Sequence, residues 1–201
     1  MSTRKRLSRE ERRAQLIAIG RRQVEASSFA ELSTDAVADE AGISRGLLFH
    51  YFPTRQDFLV ALAQDAAQEL LELTAPDESL PPLDRLRAGL EAYLDYVTER
   101  ADLYLALVRG AAGGAAELQE VFDATRRQLA ARILMGLGLD DESGRMRLAA
   151  QGYVAFTEEV VVSWLRAGDG KVARDELVDQ LVRSALAVLT AAGAADVQGT
   201  D

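Results

Sequence analysis

Eight residues between positions 34 and 55, Thr34, Ser44, Arg45, Gly46, Leu47, His50, Tyr51 and Arg55, bring guanidinium, hydroxyl, imidazole and apolar groups into one short stretch. That mixture suits the surface of a DNA duplex. A guanidinium donates to guanine O6 and N7 or to a phosphate, hydroxyl and imidazole groups reach phosphate oxygens, an exposed leucine meets a thymine methyl, and a glycine lets the backbone come close. Other chemistry is poorly served. The 201 residues include no Cys and one His, which excludes disulfides, thiolate nucleophiles and Cys or multi-His metal sites and makes any Ser-His-Asp arrangement depend on His50. No metal, cofactor or catalytic residue is expected, and the chain reads as something other than an enzyme.

The elements that must position these groups are two short helices joined by a tight turn. Gly42 stands where the first pattern stops and Ser44 where the second begins, a helix-ending residue followed by a preferred N-cap. Val37, Ala38, Ala41, Ile43 and Leu48 supply the apolar set, with small alanines where steeply crossing helices approach. This is a helix-turn-helix, whose second helix, Ser44 to about Tyr51, enters the major groove with its first residues toward base edges. Arg45 projects at its start, Gly46 and Leu47 follow, and His50 and Tyr51 lie one turn later. Thr34 and Arg55 open the flanking helices as phosphate clamps. Leu48 and Phe52, four apart, belong to the core.

The run A-x-x-A-G-I-S-R-G-L-L-F-H-Y-F-P-T-R, from Ala38 to Arg55, closely resembles the recognition segment of the tetracycline-repressor (TetR) family of bacterial regulators. The part from Leu48 to Arg55 is the more diagnostic, since generic helix-turn-helix proteins lack it. The match is strong over about the first 60 residues and architectural beyond them. It implies DNA contacts at Thr34, Arg45, Gly46, Phe49, His50, Tyr51 and Arg55, although Phe49 suits the core equally well. Asp35 departs from the basic or polar residue that some members carry, which argues against base contacts from the start of the second helix.

Net charge of -9 conceals an asymmetry: residues 1–55 hold 10 Lys/Arg and 7 Asp/Glu, leaving 13 and 25 in the remainder. A basic head on an acidic body turns the head toward phosphates. Thr3 to Arg6 reads equally as a DNA-contacting arm or a solubilising tail. No run is long enough to span a membrane and no signal peptide is apparent, so a cytoplasmic protein without a membrane partner is expected.

Helical periodicity recurs throughout, predicting an all-α chain of about nine helices. The head covers 1–55, a fourth helix over 54–75 connects it to a body at 56–191, and 192–201 form a frayed tail. Helix 6 is expected from Leu103 to Val108, with Gly110 to Ala116 breaking the chain between helices or letting them pack closely, and helix 8 from about Asp141. Helices 8 and 9 show more apolar surface than helices 5 to 7 need to cover, so Val160, Leu177, Leu181, Val182, Ala185, Val188 and Leu189 either lie inside the monomer or join two copies, and the resemblance favours the two copies.

The resemblance further implies an effector pocket among helices 5 to 8. Tyr93, Tyr96, Tyr104, Phe122, Tyr153, Phe156 and Trp164 are its candidate walls, though aromatics at helical spacing serve equally as core. Glu158 shares a face with Val154, Val161 and Leu165, so its carboxylate needs a partner, with Arg109 or an effector as candidates. The expected function is that of a ligand-responsive, homodimeric DNA-binding regulator, a repressor released from a palindromic operator by a small molecule. The alternatives are an effector-independent regulator and a small-molecule-binding helical protein with a weak DNA head.

Overall fold

Ser8 opens the first helix with a reciprocal pair: its Oγ accepts from the Glu11 amide at 3.1 Å, while Glu11 Oε2 accepts from the Ser8 amide at 2.7 Å. The structure is a computed structural model that describes residues 7–26, 31–112, 116–139, 144–168 and 170–194, with backbone alone for 109–112. Among these residues there are nine helices and no strand. In chain order they are α1 (Arg9–Ala26), α2 (Thr34–Ala41), α3 (Arg45–Tyr51), α4 (Arg55–Leu73), α5 (Pro82–Glu99), α6 (Ala101–Ala112), α7 (Ala116–Gly136), α8 (Arg145–Ala167) and α9 (Arg174–Ala192). The all-α expectation holds.

Two boundaries differ from the sequence reading. α6 continues through Gly110 to Ala112, because a lone glycine inside a helix costs only about 1 kcal/mol. α8 begins at Arg145 instead of near Asp141, behind Gly144 at φ 72°. Asp141, Phe29, the Thr3 to Arg6 arm and residues 195–201 lie outside the described residues.

The chain divides into two compact units. One comprises residues 1–66 with 102–121, the other 67–101 with 122–201, so α4 contributes to both. In the first, Ser33 Oγ accepts from the Ala36 amide at 3.2 Å to start α2, and Gly42 ends it in the left-handed conformation at φ 65°. α1 packs on α2 and α2 on α3. A capping pair between Thr54 and Asp57 starts α4, the Thr54 amide donating to Oδ2 at 2.9 Å and the Asp57 amide to Oγ1 at 3.0 Å. α1 meets α4 through Gly20: a Cβ there would lie 2.6 Å from Cζ of the fully buried Phe58.

In the second unit α9 packs on α8 and α5. Arg87 on α5 meets Asp179 on α9 at 2.6 Å, and Arg174 donates to the Glu91 carbonyl at 3.0 Å and to Asp95. This arrangement corrects the expected dimer interface. Leu177, Leu181, Ala185 and Leu189 are 0–2% exposed within the chain, so their apolar surface is already spent on α5 and α8. Val160 and Val182 are half-buried, and Val188 alone of the set stands exposed.

Candidate nucleic-acid interface

α3 divides its residues by face. Leu48 is fully buried and Phe52, just past the helix, is 2% exposed, so this side belongs to the head's core. Ser44, Arg45, Gly46, Leu47 and His50 are exposed, while Phe49 and Tyr51 are half-buried. Ser44 acts as the N-cap, its Oγ accepting from the Leu47 amide at 3.2 Å. A Cβ built on Gly46 would meet nothing nearer than Ser44 Oγ at 4.0 Å, so packing within the chain does not demand glycine there.

Arg45 is held from two directions. Its Nη1 lies 3.2 Å from Asp35 Oδ2, and its guanidinium sits 5.4 Å from the Phe49 ring centroid. His50 stands edge-on to Tyr51 at 5.9 Å. Arg55 Nε donates to the Leu32 carbonyl at 3.4 Å, joining the start of α4 to the segment entering α2. Arg22 and Gln23 of α1 donate to Glu40 at 2.7 and 3.4 Å, fixing α1 against α2. The Arg22 contact, followed by that of Gln23, holds the Glu40 carboxyl below its usual range. One expected contact is corrected: Thr34 is only 8% exposed, because it is the first helical residue behind the exposed cap Ser33 and faces inward, leaving little side chain for a phosphate.

Glu158 pairs with Arg126 of α7 by a two-pronged contact in which Nε and Nη2 donate at 2.7 and 2.9 Å. Arg126 also donates to Asp123 at 3.0 Å, and the Glu158 contact raises the Arg126 pKa. The Arg109 side chain lies outside the described residues. Arg126 escaped the sequence reading, yet it stands four and eight residues before the buried Ala130 and Leu134, and so breaks an apolar stripe as Glu158 does. The same question put to α7 would have found it.

Tyr93, Tyr96 and Tyr153 are buried, and Phe122 is half-buried, in the second unit, and Tyr104 is buried in the first. Tyr96 lies under the Arg100 guanidinium at 5.0 Å. Trp164 Nε1 donates to the Val172 carbonyl at 3.0 Å, which closes the α8–α9 connection. Phe156 is 42% exposed on the stripe that carries exposed Leu148 and Gly152, so it belongs to the outside of α8 instead of an internal wall.

Tyr153 is a core pin, its hydroxyl donating to the Leu181 carbonyl at 3.0 Å. Burial pushes its phenol up to about 12 from 10.0. A raised acid holds its proton more tightly when folded. The stabilisation is therefore complete below pH 10 and lost as pH climbs toward 12, by at most on the order of a few kcal/mol. Tyr153→Phe is expected to cost about 1 kcal/mol at neutral pH and to flatten this alkaline decline. Urea unfolding of both proteins from pH 7 to 11.5 checks it, and parallel curves would count against Tyr153 as the titrating group.

Comparison with known proteins places these features among relatives. Residues 16–62 match the family described as bacterial regulatory proteins, tetR family, and residues 82–188 match the tetracyclin repressor-like C-terminal domain. The transcriptional activator FasR of Mycolicibacterium smegmatis is 26% identical over 186 residues, 90% of this chain and 84% of that protein. A tetR-family transcriptional regulator from Streptomyces coelicolor superimposes with a TM-score of 0.79 at 31% identity, covering 92% of this chain and 83% of that one. A TetR-like regulator from Rhodococcus sp. RHA1 does so with a TM-score of 0.67 at 27% identity over 92% and 99% of the two chains.

Proposed function

The chain belongs to the tetR family of bacterial regulatory proteins and is a DNA-binding transcriptional regulator, and from that premise we propose that it acts as a homodimeric repressor released from a palindromic operator by a small-molecule effector. The observation that carries the reading is the face of α3: Arg45, Gly46, Leu47 and His50 are presented outward, and the head's core uses none of them. Arg45 reads a base edge, Leu47 meets a thymine methyl, and His50, Tyr51 and Arg55 position the helix on the backbone.

The outward faces of α8 and α9 support the dimer. Leu148 is 72%, Phe156 42% and Val188 36% exposed, with the exposed Gly152 and Ala155 between the first two permitting close approach. Two copies joined there carry two heads, so half-sites lie about one helical turn apart or somewhat more. α4, one unbroken helix with residues in both units, is the element whose displacement by effector would change the spacing of the heads. The effector must bind the two conformations with different affinity for any shift to follow.

The test begins with a random pool of duplexes from which the purified protein selects. Enrichment of a palindrome, occupied by one dimer, is expected. Arg45→Ala should then lose about 1–3 kcal/mol of discrimination between that palindrome and a scrambled duplex. Failure to enrich any sequence, with weak binding to every duplex that salt abolishes, would sink the reading.

A further inference from the structure

We infer that Asp35 is a positioning residue for sequence recognition: it holds the Arg45 guanidinium toward a base edge and withholds it from phosphates. The inference rests on the reading of Arg45 given above. Asp35 lies in the first turn of α2 and Arg45 begins α3, so the 3.2 Å contact spans the turn of the helix-turn-helix. Phe49, one turn along α3, supplies a second support with its ring 5.4 Å from the guanidinium.

An arginine side chain with four freely rotating bonds can reach phosphates in many poses. A carboxylate at one Nη and an aromatic ring nearby remove most of them, leaving the other Nη and Nε to meet an acceptor pair such as guanine O6 and N7. Fold stability gives this pair little purpose. Its side chains are 64% and 56% exposed, and ion pairs so open to water contribute little to folding. A carboxylate on a DNA-facing surface also repels every duplex alike, whereas fixing Arg45 rewards only the duplex with the matching base. The pair therefore raises the ratio of specific to random binding while lowering both.

A purely structural role for Asp35, as an acid favoured in the first turn of α2, would act differently. Its removal would weaken the head on all DNA equally. The two roles separate in a comparison of wild type, Asp35→Ala, Arg45→Ala and the double variant. Each is titrated at several salt concentrations on a duplex enriched from a random pool by wild type and on its scrambled counterpart.

Asp35→Ala is expected to bind the scrambled duplex more tightly and to lose discrimination about tenfold or more. Its log–log salt slope on the enriched duplex should steepen by about one, as Arg45 moves to a phosphate. The double variant should discriminate no worse than Arg45→Ala alone. Discrimination retained in Asp35→Ala, equal weakening on both duplexes with an unchanged slope, or a loss that persists in the Arg45→Ala background would each overturn the inference. If wild type enriches nothing, the sequence-reading function falls with it; if wild type and Arg45→Ala behave as expected while Asp35→Ala does not, only this inference falls.

Discussion

Gly20→Val is expected to destabilise the head by about 3 kcal/mol and to abolish operator binding, although Gly20 is a buried residue of α1 and not of the recognition helix. Gly20 is the point where α1 meets α4. The first added carbon would sit 2.6 Å from Phe58 Cζ and 3.0 Å from Leu62 Cδ2, both on fully buried side chains. Phe58 has little room to retreat, because its ring already packs at a 54° tilt against Phe52 with centroids 4.8 Å apart. Even Gly20→Ala, which gains about 1 kcal/mol of helix propensity, should come out destabilising in the native background.

Removing the obstacle should reverse that sign. Phe58→Ala alone costs about 3–5 kcal/mol through lost burial and the cavity it leaves. In that background Gly20→Ala is left with Leu62 Cδ2 at 3.0 Å, a side chain that can turn into the space the ring vacated, so the substitution keeps its helix gain and should stabilise by up to about 1 kcal/mol. Urea unfolding of the four full-length proteins checks the cycle. Additive effects would mean that α1 and α4 can slide apart to admit a methyl, and the close approach would lose its structural meaning.

What the sequence made legible follows from the range of the interactions involved. The head was readable because its instructions are local: Gly42 and Ser44 set helix ends within three or four residues of themselves, and the structure places one as a stop and the other as a cap. The body was readable only as helices. Leu177, Leu181, Ala185 and Leu189 announce an apolar stripe, but a stripe does not say whether the chain's own α5 and α8 or a second copy covers it. Glu158 announced a need for a partner, and which arginine answers it depends on how α7 lies against α8, a long-range matter. Thr34 turned inward for a related reason, since position within the first helical turn does not determine which side faces DNA.

Phe156→Glu is expected to split the proposed dimer without unfolding the chain, raising the dimer dissociation constant by about two orders of magnitude. The side chain is 42% exposed, so the fold depends only in part on its apolar surface. Across a two-fold interface each substitution counts twice. Two lost aromatic contacts and two carboxylates drawn out of water together amount to about 3 kcal/mol or more per dimer. Leu181→Glu is the contrasting case: that side chain is 0% exposed between the chain's own helices, so an acid there should unfold the body instead of dividing the assembly. Sedimentation equilibrium reports the mass and far-ultraviolet circular dichroism the fold. A folded Phe156→Glu monomer would be left with one reading head, and its operator affinity should fall toward that of a single half-site. A variant that keeps the dimer mass would move the interface away from this face of α8, and the spacing of the two heads would have to be derived from a different pair of helices.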